Sequence, residues 1–183
     1  METKSVERYL NSFGKQVVNR AKANLGKAKG GSTKLATTIK FEVKPDADGF
    51  VVNFYMADYG TFLDKGVSGN KKKQSYKNYE NKSESSPYRF GTGSSKVGKG
   101  GMSGIMTKWI KKKGFQWKDK ETGKFMSHKS MGFLVARSIY RDGIKSLSFF
   151  QKPLGLGLKQ FGKDLLGAIS TDITDKLSTI KVK

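Results

Sequence analysis

The N-terminal part of the chain shows the periodicity of an amphipathic helix. Its apolar residues recur at spacings of three and four, which places them on one face. This set comprises Val6, Tyr9, Leu10, Phe13, Val17, Ala21 and Leu25. Gly26 and the pair Gly30-Gly31 are predicted to end the helix, because glycine is favoured just beyond a helix C-terminus.

The next pattern alternates with a period of two, as in a strand with one buried face. The first run is Leu35, Thr37, Ile39, Phe41 and Val43, and the second is Phe50, Val52, Phe54 and Met56. Between them, residues 45–49 read Pro-Asp-Ala-Asp-Gly, which is typical of a turn. We predict a β-hairpin whose second strand ends near Asp58-Tyr59-Gly60.

The character of the chain changes over residues 66–104. This segment contains eight Gly, eight Ser and almost no aliphatic residues. It therefore buries too little apolar surface to offset the loss of chain entropy on folding. We predict a flexible, structureless basic arm in the isolated chain, inserted into a single domain that spans residues 1–183.

Helical periodicity returns after the arm. Residues 105–113 form a short predicted helix in which Ile105, Met106, Trp109 and Ile110 share a face, ended by Gly114. A second helix is predicted over residues 128–141, burying Phe133, Ala136 and Tyr140, and Asp142-Gly143 closes it. Phe115, Trp117 and Phe125 flank a predicted turn at residues 120–123.

The longest stripe runs almost to the C-terminus: Leu158, Phe161, Leu165, Ile169, Ile173, Leu177 and Ile180. Gly155, Gly157 and Gly162 weaken the first turns of the predicted helix, so the pattern does not define the residue at which this helix begins. The whole pattern predicts an α+β fold, with N- and C-terminal helices packed on a small antiparallel sheet.

Charge adds a constraint on partners. Lys and Arg outnumber Asp and Glu by 36 to 15, which gives a net charge of +21. Residues 65–129 hold 17 of these cations and 4 carboxylates, or +13 of the total. Such a field favours a polyanionic neighbour, of which nucleic acid is the commonest, although a solvated basic surface is the alternative.

Several kinds of chemistry have no support in the sequence. The chain lacks cysteine and has one histidine, His128, so a cysteine nucleophile or a multi-histidine metal site is not expected. Residues 93–100 resemble a phosphate-binding loop but carry Gly100 in place of Ser or Thr, and are interpreted as a flexible basic loop. Asp58 and Asp64 are interpreted as solvated or capping carboxylates rather than an acid/base pair. No membrane span or signal peptide is recognised.

Three short segments carry a resemblance to a known family. They are Tyr-Gly-Thr-Phe-Leu-Asp-Lys-Gly at 59–66, Thr-Lys-Trp-Ile-Lys-Lys-Lys-Gly at 107–114, and the run Phe-Leu-Val-Ala-Arg-Ser-Ile-Tyr-Arg-Asp-Gly-Ile at 133–144. The aromatic segment 149–154 follows them. In this order the segments resemble the tail-completion or neck proteins of long-tailed bacteriophages, also described as minor tail or virion morphogenesis proteins. The arm is longer than in compact members of that family.

The resemblance implies a structural subunit without catalytic activity, cofactor or metal. Identical copies would form a ring, six-fold or alternatively twelve-fold, around the DNA channel of the virion neck. Its protein partners would be head-completion or adaptor proteins and tail-terminator or tail-tube proteins. Packaged double-stranded DNA would pass nearby without sequence-specific contacts. The protein would be made in the cytoplasm of the host bacterium.

Two groups of side chains are predicted to serve this role. The residues expected to face DNA or an acidic partner are Lys71, Lys72, Lys73, Lys77, Arg89, Lys96, Lys99, Lys111, Lys112 and Lys113. The residues expected to shape the fold or the subunit contacts are Tyr59, Gly60, Thr61, Trp109, Phe149 and Phe150. The aromatic residues of the arm, Tyr76, Tyr79, Tyr88 and Phe90, are expected at subunit contacts. The aromatic residues of the arm are suited either to stacking on bases or to anchoring the arm on a neighbour.

Two other functional classes are weighed against this one. A free-standing, nonspecific nucleic-acid-binding protein would also need the basic charge, and it would bind DNA as a monomer with steep salt dependence. An enzyme acting on a polyanion would need a catalytic constellation, which the sequence does not supply.

Overall fold

The structure, a computed structural model, describes residues 4–31, 33–47, 49–90 and 101–179. Helices make up 57% of the described residues and strands 17%, with the strands in small antiparallel sheets. The predicted α+β class is therefore confirmed.

The chain divides into two compact units. The first comprises Met1–Asp64, Tyr76–Glu84 and Leu147–Lys183, and the second comprises Lys65–Ser75 and Ser85–Ser146. The prediction of a single domain over residues 1–183 stays a prediction.

The N-terminal helix is confirmed as α1, Lys4–Lys29. Its apolar stripe is buried along the helix, from Val6 to Leu25. Gly26 lies within the helix, and its carbonyl accepts a hydrogen bond from the Gly31 amide at 2.9 Å. The helix ends at Gly30, whose φ of +73° suits glycine.

The predicted hairpin is present but shorter than expected. Strands β1, Lys40–Asp46, and β2, Gly49–Tyr55, pair antiparallel in a register that joins Lys40 to Tyr55. Residues predicted to begin the first strand form helix α2, Lys34–Thr38, capped by the Thr33 hydroxyl. Leu35 lies in α2 and Ile39 follows it as an extended C-cap residue, and both side chains are buried.

The second strand also ends earlier than predicted. Strand β2 stops at Tyr55, and Tyr59–Lys65 forms helix α3. The segment read as a strand end is therefore helical, and the Thr61 hydroxyl donates to the Asp58 carbonyl at 2.8 Å.

The first unit is completed by α6, Gln151–Thr179, which runs along α1. It starts before Leu158, and its end beyond residue 179 lies outside the described residues. Gly155 and Gly157 lie within it, where the absence of a side chain permits close approach to the Tyr79 backbone and to the Phe13 ring. Phe161 stacks edge-on against Phe13, with ring centroids 4.8 Å apart.

One hydrophobic core holds the first unit together. It joins α1, α2, the hairpin and the start of α6, and its members include Phe13, Val17, Leu25, Ile39 and Phe149. Leu25 and Ile39 have no exposed surface. The two terminal helices thus pack with the sheet, as the sequence pattern predicts.

The second unit is built on two packed helices. They are α4, Gly101–Lys113, and α5, His128–Asp142, so both predicted helices are confirmed. Gly114, with φ +68°, ends α4, and the Ser127 hydroxyl caps α5. The turn before α5 is also confirmed: the Asp119 carbonyl accepts the Gly123 amide at 2.9 Å.

The buried face of α5 differs from the prediction. Met131, Gly132 and Ala136 are buried, whereas Phe133 is 56% exposed and Tyr140 is 36% exposed. Gly132 lies against the backbone of α4, and this close approach turns the small residues of α5 inward. On α4, Ile110 is buried but Trp109 is 44% exposed, so the predicted shared face is only partly covered.

The predicted arm carries short strands up to residue 90. Strand β3, Val67–Ser68, pairs with β6, Gly143–Ile144, and β4, Ser75–Lys77, pairs with β5, Ser83–Ser85. Structure therefore exists where the sequence predicts a structureless loop. Residues 91–100 lie outside the described part, and the flexibility of the arm stays a prediction.

None of the helices in the described part of the chain is both long and apolar enough to cross a bilayer.

Candidate functional site

The basic loop at 70–72 is fixed to the C-terminal end of α5 by backbone hydrogen bonds. The Asn70 amide donates to the Tyr140 carbonyl at 2.8 Å. The amides of Lys71 and Lys72 donate to the Arg141 carbonyl at 3.0 and 3.2 Å. Two predicted lysines are thereby held beside an arginine far away in sequence.

Except for Lys72, these residues border an open cleft of about 580 Å³ in the second unit. Its walls come from the loop, the first turn of α4 and one face of α5. The lining residues are Asn70, Lys71, Gly101, Met102, Ser103, Phe133, Ala136, Arg137, Tyr140 and Arg141. We call this the basic cleft.

Two of its cations, Arg137 and Arg141, were missed by the sequence predictions. They are four residues apart on α5 and so share a face of the helix. That spacing was visible in the sequence. Their convergence with Lys71 was not, because it depends on a contact between segments that lie far apart in the chain.

The two arginines differ in their partners. Arg141 binds its neighbour Asp142, with Nη2 and Oδ2 2.7 Å apart. This hydrogen bond lowers the pKa of Asp142 and raises that of Arg141. Among the residues that the structure describes, no carboxylate lies within ion-pair distance of Arg137. Its guanidinium is therefore available to an external anion.

Aromatic rings border the same cleft. Phe133 and Tyr140 each keep a third or more of their surface in solvent. The Tyr140 ring contacts Phe90 edge-on at 5.7 Å between centroids, which connects one predicted aromatic residue to the site. Tyr88 is half-buried, and its carbonyl accepts the Ser68 amide at 2.8 Å.

The remaining predicted cations do not join the cleft. Lys111, Lys112 and Lys113 are exposed at the far end of α4, roughly 15 Å from its first turn at 1.5 Å per residue. Lys73, Lys77 and Arg89 are exposed but do not line it. Lys96 and Lys99 lie outside the described residues.

Three of the aromatic residues predicted at subunit contacts are buried within the chain itself. Phe149 and Phe150 belong to the core of the first unit, with 1% and 8% of their surface exposed. Tyr76 is also 8% exposed, and its hydroxyl donates to Glu84. Their assignment as subunit-contact residues is corrected on this point, because the chain's own packing covers them.

Other predicted contact residues remain accessible. Tyr59, Tyr79 and Trp109 are each between 44% and 48% exposed, and Thr61 is half-buried. Trp109 contacts the Phe115 ring at 5.3 Å between centroids. These side chains are available to a neighbouring subunit, and that role stays a prediction.

The C-terminal half of α6 carries an apolar surface that the described part of the chain leaves exposed. Leu166, Ile169, Ile173 and Leu177 are 67%, 38%, 44% and 63% exposed. Their spacing of three and four residues places them on one side of the helix. We call this set the α6 stripe.

Asp64, predicted to be a solvated or capping carboxylate rather than part of an acid/base pair, has a capping role. It is 2% exposed, and its Oδ1 accepts the Phe150 amide at 2.8 Å, just before α6 begins. Asp58 is exposed on the surface. Among the described residues no group of His, Asp and Glu is arranged to hold a metal ion. The loop at 93–100 lies outside them.

Comparison with protein-family models, curated proteins and solved structures found no match for this chain.

Proposed function

We propose that this protein is a structural subunit of a bacteriophage head-to-tail connector. In this role identical copies form a ring around the DNA channel and join head-completion proteins to the tail. The resemblance of residues 59–66, 107–114 and 133–144 to neck proteins suggests the family. The uncovered α6 stripe is the observation that carries the proposal, since it calls for a partner.

The exposure of the stripe is large for a helix in a folded unit. An amphipathic helix normally turns its apolar side to the core. Here α1 covers one side of α6, where Phe161 and Leu165 are half-buried, and the stripe lies beside it. Contiguous exposed apolar surface of this kind is typical of protein–protein contact sites.

A second copy of the chain is the occupant that charge favours. Two molecules of net charge +21 repel each other over most of their surfaces. Residues 164–175 contain three Asp and no Lys or Arg, so like-charge repulsion is weakest there. A face of one copy that meets a different face of the next generates a ring when the rotation closes.

In this proposal the protein works without catalysis, cofactor or metal. Its work is to bury apolar surface between copies and to present positive charge toward DNA. Phosphate contacts from lysine and arginine carry no sequence information, which suits a channel through which the whole genome passes. The protein would belong to the virion and be assembled in the host cytoplasm.

A nonspecific nucleic-acid-binding protein is the second candidate function. The basic cleft and the exposed lysines at the end of α4 favour it. This function requires no contact between copies. Association through the α6 stripe therefore distinguishes the connector subunit from the nucleic-acid-binding protein.

Self-association tests this separation. The mass of the purified chain would be followed by analytical ultracentrifugation over a concentration series. We expect reversible oligomers that are lost in the double variant Leu166→Gln/Ile173→Gln. Thr171→Gln, on the opposite side of α6, is the control and should associate like the unaltered protein. Equal association of all three proteins would remove the stripe from the interface.

A further inference from the structure

We propose that the basic cleft is a binding site for the phosphodiester backbone of nucleic acid. The inference deepens the proposed function and rests on it for the identity of the polyanion. It assigns the contact to Lys71, Arg137 and Arg141, of which the two arginines were not among the residues predicted to face DNA.

The positions of the cations support this assignment. Lys71 comes from a loop and the arginines from α5, yet backbone hydrogen bonds of 2.8 to 3.2 Å hold the loop against the helix. The charges are therefore brought together before any ligand arrives, which reduces the entropy lost on binding. Scattered lysines on flexible side chains lack this advantage.

The chemistry of the side chains fits phosphate. A guanidinium donates through a planar fork that matches two phosphate oxygens, and Arg137 has its fork unengaged among the described residues. The first turn of α4, Gly101–Ser103, forms another wall. Amides at the start of a helix carry partial positive charge and add to the field of the cations.

The aromatic wall favours nucleic acid over an acidic peptide. Phe133 is 56% exposed at the edge of the cleft, where burial within the chain would normally be favoured. Unpaired bases stack on such rings irrespective of sequence, whereas a run of carboxylates gains nothing from them. Cations next to an exposed ring thus match a sugar–phosphate chain that carries bases.

Binding would be measured by fluorescence anisotropy with labelled oligonucleotides, single-stranded and duplex, between about 50 and 200 mM salt. The test variant is Arg137→Gln/Arg141→Gln. The matched control is Arg8→Gln/Arg20→Gln, which removes the same charge from exposed positions on α1. Circular dichroism would verify folding, and Arg137→Gln alone provides a variant that breaks no ion pair.

We expect the cleft variant to bind about ten-fold more weakly and to reduce the salt slope by about two, one for each lost phosphate contact. Arg137→Gln should show about half of this slope change, and the control should stay close to the unaltered protein. Equal losses in the cleft and control variants would overturn the site, because net charge alone would then explain binding. Stronger competition by polyglutamate than by unlabelled oligonucleotide would also overturn it, in favour of an acidic protein partner.

This result is separable from the fate of the proposed function. Anisotropy reports the cleft, whereas molecular mass reports the contact between copies. Measuring DNA binding in the Leu166→Gln/Ile173→Gln background tests the cleft without assembly. Loss of assembly with retained cleft binding would contradict the proposed ring and leave the site standing.

Discussion

At the scale of single residues, a buried carboxylate fixes the start of the last helix. Asp64 accepts the Phe150 amide, and its backbone carbonyl accepts the Ser148 amide at 3.0 Å. An aspartate in this position has a structural reason to be present that has nothing to do with catalysis. From the sequence alone, only the proximity of Asp64 to Asp58 is visible, and the hydrogen bonds of Asp64 are not.

Replacing Asp64 by Ala should destabilise the protein markedly. The substitution leaves the buried Phe150 amide without its acceptor, which costs about 1–3 kcal/mol in the free energy of unfolding. Urea denaturation would measure this loss. Asp58→Ala, at an exposed position, is the control and should change stability by less than about 0.5 kcal/mol. Similar stability of the two variants would show that the cap is unimportant.

A second carboxylate caps a helix from outside it. Asp172 of α6 accepts the amides of Ser5 and Val6 at 2.9 and 3.1 Å, at the N-terminus of α1. Burial raises the pKa of this carboxyl, but hydrogen bonds from Ser5 and Val6 outweigh burial, so the pKa lies below its usual 3.8. The charged form thus stabilises the helix start.

Asp172→Asn should therefore lower the Tm by a few degrees at neutral pH. Because the folded pKa is depressed, the stabilisation is complete above the unfolded pKa and disappears as the pH falls through the folded one. The difference in Tm between the two proteins should shrink below about pH 3. Thermal melts at about pH 7 and about pH 2.5 measure it, with Asp175→Asn as the control. A difference that does not depend on pH would contradict the charged cap.

At the scale of elements, the packing of α4 against α5 depends on a glycine. A Cβ at Gly132 would meet the side chain and backbone of Thr107, with the Thr107 amide nitrogen at 2.8 Å. Overpacking of this kind usually costs about 1–3 kcal/mol, more than alanine gains in helix propensity.

Gly132→Ala should accordingly destabilise the protein, against the trend for glycine in helices. Gly167, in α6, is the matched control, because a Cβ at this position would meet no other atom within 4 Å. Gly167→Ala should be neutral or stabilising by up to about 1 kcal/mol. Both changes are measurable by chemical denaturation, and stabilisation by both would mean that α4 and α5 do not approach closely.

The periodicity of the apolar residues predicted most of the helices and strands, but not which part of the chain covers each of their faces. The long helices were recognisable because their stripes extend over many turns. A short segment such as residues 34–39 satisfies two periods at once, since the spacing of Leu35 and Ile39 fits both a strand and a helical turn. Packing in the folded protein decides between strand and helix for this segment, and the local pattern of apolar residues carries no information about that packing.

The same limit applies to the candidate site. Phe149 and Phe150 were predicted to be contact residues because the sequence does not show whether an aromatic side chain is exposed or buried. Arg137 and Arg141 were visible as a pair on one helix face. Their meeting with Lys71 depends on a long-range contact, and only a three-dimensional structure supplies it.

At the scale of the whole molecule, the chain combines two properties that have opposite effects on self-association. A net charge of +21 keeps copies separate, while the α6 stripe favours their contact. In the proposed connector, partner proteins or DNA would neutralise this charge and strengthen the reversible association expected of the purified chain.

Solution mass, measured by light scattering with and without the head-completion and tail proteins that the proposal requires, tests the central claim most directly. The proposal predicts that mixing produces a closed ring of identical copies, six-fold or twelve-fold, and protects residues 66–104 from protease. A chain that stays monomeric with every such partner, yet binds DNA tightly and with steep salt dependence, would contradict the connector role and favour a free nucleic-acid-binding protein.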